Sequence, residues 1–204
     1  MHKNVMIIDY PSGSSPLPAV KGGIVAAYSS GTWTGVGIGS TEVTASTTLA
    51  PLLAIGYAES TSLIGGAGTV NFGGLTPTSA IVDADSLIVR TTLSGDADLD
   101  GTVNLNDLIR LANNYGTNTG LNWSDGDFDY SGGVDLNDLI RLANNYGSIF
   151  AAGEVIPGAS DSFNADLAAA FNGAPPAVSV PEPATLSRAA LGAAGLLMRR
   201  RRRA

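Results

Sequence analysis

The sequence predicts an α+β protein: a β-rich N-terminal segment, an all-α pair of loop-helix units, a linker, and a short C-terminal hydrophobic helix. Three observations carry this. Runs rich in branched and aromatic residues at 4–10, 52–58 and 86–92 have the composition of strands. The stretch Asp96 to Gly116 recurs as Asp127 to Gly147, ending both times in the same twelve residues, Leu-Asn-Asp-Leu-Ile-Arg-Leu-Ala-Asn-Asn-Tyr-Gly. Finally, a small-residue apolar run from Ala189 to Met198 leads into five arginines, Arg199 to Arg203. These features divide the chain into 1–93, 94–148, 149–179 and 180–204, the first segment reading as the end of a larger domain.

In order along the chain, Val5-Met6-Ile7-Ile8 opens the first strand, and a helix is expected from Leu17 to Ser29, where Val20, Ile24 and Tyr28 share one face at i, i+4 and i+8. Gly22-Gly23 lowers its propensity. Thr/Ser/Gly-rich stretches from Ser29 to Thr48 and Gly65 to Gly74 suit turns and exposed loops. The third strand feeds straight into the first acidic loop. After that loop, Leu105, Leu108, Ile109, Leu111, Ala112 and Tyr115 recur at helical spacing, and Leu136 through Tyr146 repeat the pattern. Gly116 and Gly147 stop the two helices. Neither unit can bury its apolar stripe alone, so the two are expected to pack on each other about a pseudo-two-fold axis. Between them, Thr117 to Gly126 supplies Trp123 as a packed lid over the helix seam. Residues 149–179 read as a linker around one short Ala-rich helix near Asn164 to Phe171.

The repeated loops carry the chemistry. The first reads Asp96-x-Asp98-x-Asp100-Gly101 and closes at Asp107; the second reads Asp127-x-Asp129-x-Ser131-Gly132 and closes at Asp138. This is the EF-hand calcium-loop pattern with Asp for the final Glu. Calcium is a hard cation that takes six to eight oxygens at about 2.3–2.6 Å, and a loop with oxygens at alternating positions can wrap it. The expected ligands of the first ion are Asp96, Asp98, Asp100, the Thr102 carbonyl, Asn104 at position nine, and Asp107. Those of the second are Asp127, Asp129, Ser131, the Gly133 carbonyl, Asp135 at position nine, and Asp138. Each loop holds four carboxylates, a density of charge that repels itself without a cation. A frame starting at Asp125 fails, because Tyr130 would fall at the glycine position and Leu136 at the closing one. Two acidic surface turns are the rival reading, and the in-register repeat disfavours it.

The duplicated loop-helix, with the phrases Gly95-Asp96-x-Asp98-x-Asp100-Gly101 and Leu-Ile-Arg-Leu-Ala-Asn-Asn-Tyr-Gly, resembles the type I dockerin repeat over about 94–148. The resemblance implies two bound Ca2+ ions and a cohesin-like module as partner. In that family the partner is contacted at loop positions ten and eleven, here Leu105-Asn106 and Leu136-Asn137. The small hydroxyl pair of cellulosomal dockerins is absent at both. Surface polysaccharide is the alternative partner.

Composition narrows the rest. The net charge is −7 even with the terminal arginines included, which argues against a nucleic-acid partner. There is no cysteine, so no disulfide can staple a small repeat domain, and bound calcium would fill that role. His2 is the one histidine in the sequence; with no cysteine either, a nucleophilic triad is excluded, and no pattern selects a catalytic carboxylate pair. The chain is therefore expected not to be an enzyme.

From Val180 the chain reads Val-Pro-Glu-Pro-Ala-Thr-Leu, then the apolar run, then the arginines. This resembles the PEP-CTERM sorting signal, in which Pro-Glu-Pro precedes a hydrophobic segment and an Arg cluster recognised by an exosortase-type membrane enzyme. Arg188 interrupts the segment. Residues 184–198 would reach about 22 Å as a helix against a hydrocarbon core of about 30 Å, which implies transient membrane contact through 184–203 rather than a permanent anchor. The arginines would stay cytoplasmic, with the body outside. Met1 to Tyr10 holds too short an apolar run for a signal peptide, so the chain reads as the C-terminal part of a longer exported protein. The leading expectation is a calcium-binding, non-catalytic protein, exported to the cell surface or beyond from a membrane-associated precursor. The alternatives are the docking tail of a polysaccharide-degrading glycoside hydrolase and a cohesin- or glycan-binding module.

Overall fold

Strand Ser86–Leu93 is the spine of the molecule, because it is paired on both sides and almost wholly buried. A computed structural model describes residues 5–45, 52–72, 79–146 and 161–172. In chain order the strands are β1 (Val5–Asp9), β2 (Leu53–Glu59), β3 (Gly68–Asn71), β4 (Ser79–Val82) and β5 (Ser86–Leu93). The helices are α1 (Leu17–Tyr28), α2 (Thr41–Ala45), α3 (Ser60–Ile64), α4 (Leu105–Asn114), α5 (Leu136–Asn145) and α6 (Asp161–Asn172). Short 3₁₀ turns lie at Ser29–Gly31 and Trp123–Asp125.

Two antiparallel sheets form, one in the order β1-β5-β2 and one a β3-β4 pair. In the first, Arg90 of β5 lies opposite Val5 on one side and Gly56 on the other. The three strands and α1 expected from periodicity are all present. The β3-β4 pair, α2 and α3 lie where loops were expected or nothing was assigned. They are too short, and too rich in Thr, Ser and Gly, for periodicity to register. Val70 and Val82 nevertheless join the core, and Gly65, in the left-handed conformation at φ 78°, ends α3.

The expected sequence of a β-rich segment followed by an all-α pair is overturned. Helices α1, α2 and α3 are interleaved with strands before β5, and the loop-helix units are built onto the sheet rather than closing on themselves. Gly56 of β2 shows why. A Cβ there would lie 2.5 Å from Leu99 Cδ2 and 2.8 Å from Trp123 Nε1, so the first loop and the interrepeat turn sit directly on that strand. The described residues all belong to one compact unit.

The repeats do still meet one another, reciprocally. A Cβ on Gly95, just before the first loop, would fall 2.7 Å from Leu142 Cα of α5; one on Gly126, just before the second, would fall 2.8 Å from Leu111 Cα of α4. Both glycines have φ near 108°. Asn114 Nδ2 donates to the Asp125 carbonyl at 2.8 Å, and Asn145 Nδ2 to the Ser94 carbonyl at 2.7 Å. Leu108, Leu111, Leu139 and Leu142 are buried, but Leu105, Ile109 and Ile140 remain 40–49% exposed, so only part of each expected stripe faces inward. Helix α6 packs on α5 and buries Leu167. Gly147, the linker up to residue 160, and the expected hydrophobic helix within 180–204 lie outside the described residues.

Candidate metal centres

Each loop leaves its strand or turn through a glycine and then alternates. At odd loop positions, Asp96 and Asp98 in the first copy and Asp127 and Asp129 in the second turn to one side. At even positions, Ala97, Leu99, Phe128 and Tyr130 are buried in the core. Leu99 and Tyr130, each fourth in its loop, adopt left-handed φ of 59° and 62°, a conformation that disfavours side chains with a Cβ. Their contacts hold them there. Leu99 fills the space over Gly56, and the Tyr130 hydroxyl donates to the Ile55 carbonyl at 3.0 Å and accepts from the Ile55 N–H at 3.2 Å. At position six, Gly101 and Gly132 have φ of 92° and 88°, the sharp turn the loop requires.

This alternation gathers two acidic clusters. Carboxylate oxygens of Asp96, Asp98 and Asp107 lie within 4.8 Å of one another, and so do those of Asp127, Asp129 and Asp138. Asp96, Asp107, Asp127 and Asp138 have no exposed surface. The closing carboxylates are fixed by backbone donors: Asp107 accepts from the N–H groups of Ala97 (2.7 Å), Asp98 (3.2 Å) and Asn104 (2.8 Å). Asp138 accepts from those of Phe128 (2.7 Å), Asp129 (3.0 Å) and Asp135 (2.9 Å). Both also complete capping boxes at the starts of α4 and α5.

The remaining predicted positions are placed differently. Asp100 Oδ1 accepts from the Thr102 N–H and hydroxyl at 2.8 and 2.7 Å, and Ser131 Oγ from the Gly133 N–H at 3.3 Å. Asn104 and Asp135 act as N-caps, accepting from Asn106 N and Asn137 N at 2.8 and 2.7 Å. Six of the predicted side chains are thus brought together as two triads, while these four serve the loop turns and helix starts.

Electrostatics mark the triads as unsettled. Burial raises the Asp96 carboxyl to about 8, with the Thr92 hydroxyl opposing the rise and Asp107 adding to it. Burial and the neighbouring Asp98 raise Asp107 to about 7. Burial raises Asp138 to about 7, with Asp129 adding to the rise, and raises Asp127 to about 6 against the opposing charge of Lys21. Grouped buried carboxylates resist ionisation unless a cation joins them. One atom fits such a cation directly: Asp127 Oδ1 is fully buried and has no hydrogen-bond partner. An all-oxygen donor set with a glycine turn suits a hard cation such as calcium rather than zinc.

Three neighbours were not legible in the sequence. Thr92 of β5 donates its hydroxyl to Asp96 Oδ2. Trp123 is buried as expected, but its Nε1 donates to the Asp96 carbonyl at 2.6 Å, so it lies between the first loop and β2. Lys21 of α1 reaches Asp127 Oδ2 at 3.4 Å. No local spacing signals these contacts. The apolar residues at even loop positions were the available hint that something beyond the repeat packs there.

No helix among the described residues is long and apolar enough to cross a membrane. No curated protein and no solved structure matches the chain, and no dockerin repeat is shown over 94–148. Nothing found supports a cohesin-like module or a polysaccharide as partner. What does match is the PEP-CTERM protein-sorting motif, over residues 179–203; the chain carries the signal of an exported protein recognised by an exosortase-type enzyme.

Proposed function

We propose that this exported protein is a non-catalytic calcium-binding protein whose two loops each take one ion. The buried, unpartnered Asp127 Oδ1 beside two further carboxylates carries the reading. Asp96, Asp98 and Asp107 would hold one ion and Asp127, Asp129 and Asp138 the other, with Asp100, Ser131, and the Thr102 and Gly133 carbonyls as neighbouring oxygens. Bound calcium would supply the positive charge that lets these carboxyls ionise while buried. The chain's own part is to fix the closing aspartates on three backbone N–H groups each. It also locks Leu99 and Tyr130 against β2, so metal occupancy is linked to how the loops seat on the sheet. Outside the cytoplasm, where the sorting signal sends the protein, calcium at up to millimolar levels suits modest affinity.

Calorimetric titration of the intact protein with calcium tests this. Two ions should bind to the native chain and one to each of Asp107→Ala and Asp138→Ala. Absence of binding at millimolar calcium would discard the reading. For the tail, we propose that sorting removes Arg199 to Arg203. Mass spectrometry of protein exported by a host that has the sorting enzyme should find a product ending near Pro183, and an intact arginine tail on exported protein would refute the processing.

A further inference from the structure

The two triads differ in one respect that lies outside the repeat. Among the described residues, Asp127 is the loop carboxylate with a salt-bridge partner: the Lys21 ammonium, 3.4 Å from its Oδ2. The same ammonium reaches the Leu121 carbonyl at 2.5 Å and Asn122 Oδ1 at 3.4 Å, which seats it over the turn leading into the second loop. Oδ2 also accepts from the Gly132 N–H at 3.0 Å, leaving Oδ1 without a partner and fully buried. In the first loop the corresponding Asp96 is held by neutral donors, the Thr92 hydroxyl and the N–H groups of Asp100 and Gly101. Arg90, the cation packed behind that loop, gives its guanidinium to the Phe72 and Leu99 carbonyls, at 3.0 and 2.5 Å, and acts on Asp96 through its charge without a salt bridge to it.

From this asymmetry we propose that Lys21 is a tethered competitor of calcium at the second site: an affinity-setting residue that weakens binding there and leaves the first site unaffected. The proposal rests on the calcium reading above. Two effects act in the same direction. Without metal, the ammonium partly neutralises the Asp127 triad and stabilises the empty loop. With metal, a positive charge on Asp127 faces a divalent ion on the same carboxylate. One unit charge removed a few ångströms from a divalent cation changes affinity by about tenfold or more even at the dielectric constant of water. Because Lys21 belongs to α1, occupancy of the second site is also linked to how that helix seats on the repeat.

Three variants of the full chain separate charge from packing, with calcium alone as the probe. Lys21→Met removes charge and hydrogen bonds, Lys21→Gln removes the charge and keeps a donor, and Lys21→Arg keeps the charge. Calorimetry should show one of two dissociation constants tightening about tenfold in Lys21→Met and Lys21→Gln and staying within about twofold in Lys21→Arg. Amide spectra recorded through the titration should assign the change to Gly132 and not to Gly101. If Lys21 serves only to hold α1 in place, Lys21→Gln would bind like the native chain and Lys21→Met no tighter; either result overturns the proposal. Should Lys21→Met fail to fold, Lys21→Gln decides alone. Two ions bound with constants indifferent to Lys21→Gln would refute this inference and leave the calcium reading standing, whereas no calcium bound by the native chain would overturn both.

Discussion

Helices α4 and α5 have the same sequence and the same capping boxes, yet equivalent side chains on them do different work. Asn114 Nδ2 donates to the Arg110 and Asp125 carbonyls and so stays within the repeat pair. Asn145 donates to Ser94 and Leu52 and accepts from the Leu52 N–H at 3.0 Å, tying α5 to the entrance of β2. Arg110 reaches the Ser62 carbonyl of α3 at 3.1 Å, whereas Arg141 donates to the Tyr28 hydroxyl and lies over that ring, 5.6 Å from its centroid. At position four, an apolar Leu99 plugs the gap over Gly56 in one copy, and the Tyr130 hydroxyl grips the backbone of the next residue, Ile55, in the other. The two helices are identical in sequence, and the different elements they pack against make their side chains unequal.

The largest expected effect touches both loops at once. A ligand that binds only the native state at about a hundred times its dissociation constant adds about 2.7 kcal/mol, so on the calcium reading proposed above chelator should lower the melting temperature well beyond error. Magnesium should restore little, because it demands a tighter octahedral shell. In chelator, pH sharpens the comparison. Asp96, Asp107, Asp127 and Asp138 have folded values of about 8, 7, 6 and 7, against about 3.9 for an unfolded aspartate. Between those limits the native state binds more protons than the unfolded chain, so metal-free stability should fall as pH rises from about 4 to about 8. With calcium, which on the proposed reading joins the ionised carboxylates, the trend should reverse. A metal-free melting temperature that climbs over that range would contradict the burial and mutual repulsion of the triad carboxylates.

Next in size is the difference between the two plugs. Leu99→Ala opens a hole between the first loop and β2 and should cost about 2–5 kcal/mol. Tyr130→Phe leaves the Ile55 N–H and C=O without their partner and should cost about 1–3 kcal/mol. Urea melts of both variants, in calcium, give the comparison directly; a Leu99→Ala variant as stable as the native chain would mean the first loop does not bear on the strand. The smallest effect separates the asparagines. Asn145→Ala should destabilise more than Asn114→Ala, by about 1 kcal/mol, since it alone loses contacts to Leu52. Equal losses would show that the link to β2 contributes nothing.

The candidate ligands were legible because their signal is local. A glycine after three spaced oxygens, and an aspartate after five more residues, is a pattern whose parts all lie within one short loop, and its repetition in register disfavours coincidence. Asp107 and Asp138 were identified as closing residues on that spacing, and the structure places each in its triad. Strands β1, β2 and β5 were legible from short runs of strand-forming residues, and helix α1 from the period that burial on one face writes into the sequence. Helices α2 and α3 and the β3-β4 pair were not, because four or five residues carry too little of any period.

By itself, then, the sequence determined the loops, the helices that follow them and the sorting motif at the C-terminal end, each encoded in contiguous residues. Only the tertiary structure decided that the two units are not a self-contained pair. Gly56 accepts Leu99 and Trp123, Ile55 is bound by Tyr130, and Asp127 is faced by Lys21 from a helix about a hundred residues earlier. Such contacts depend on where the chain returns in space. No spacing along it records that.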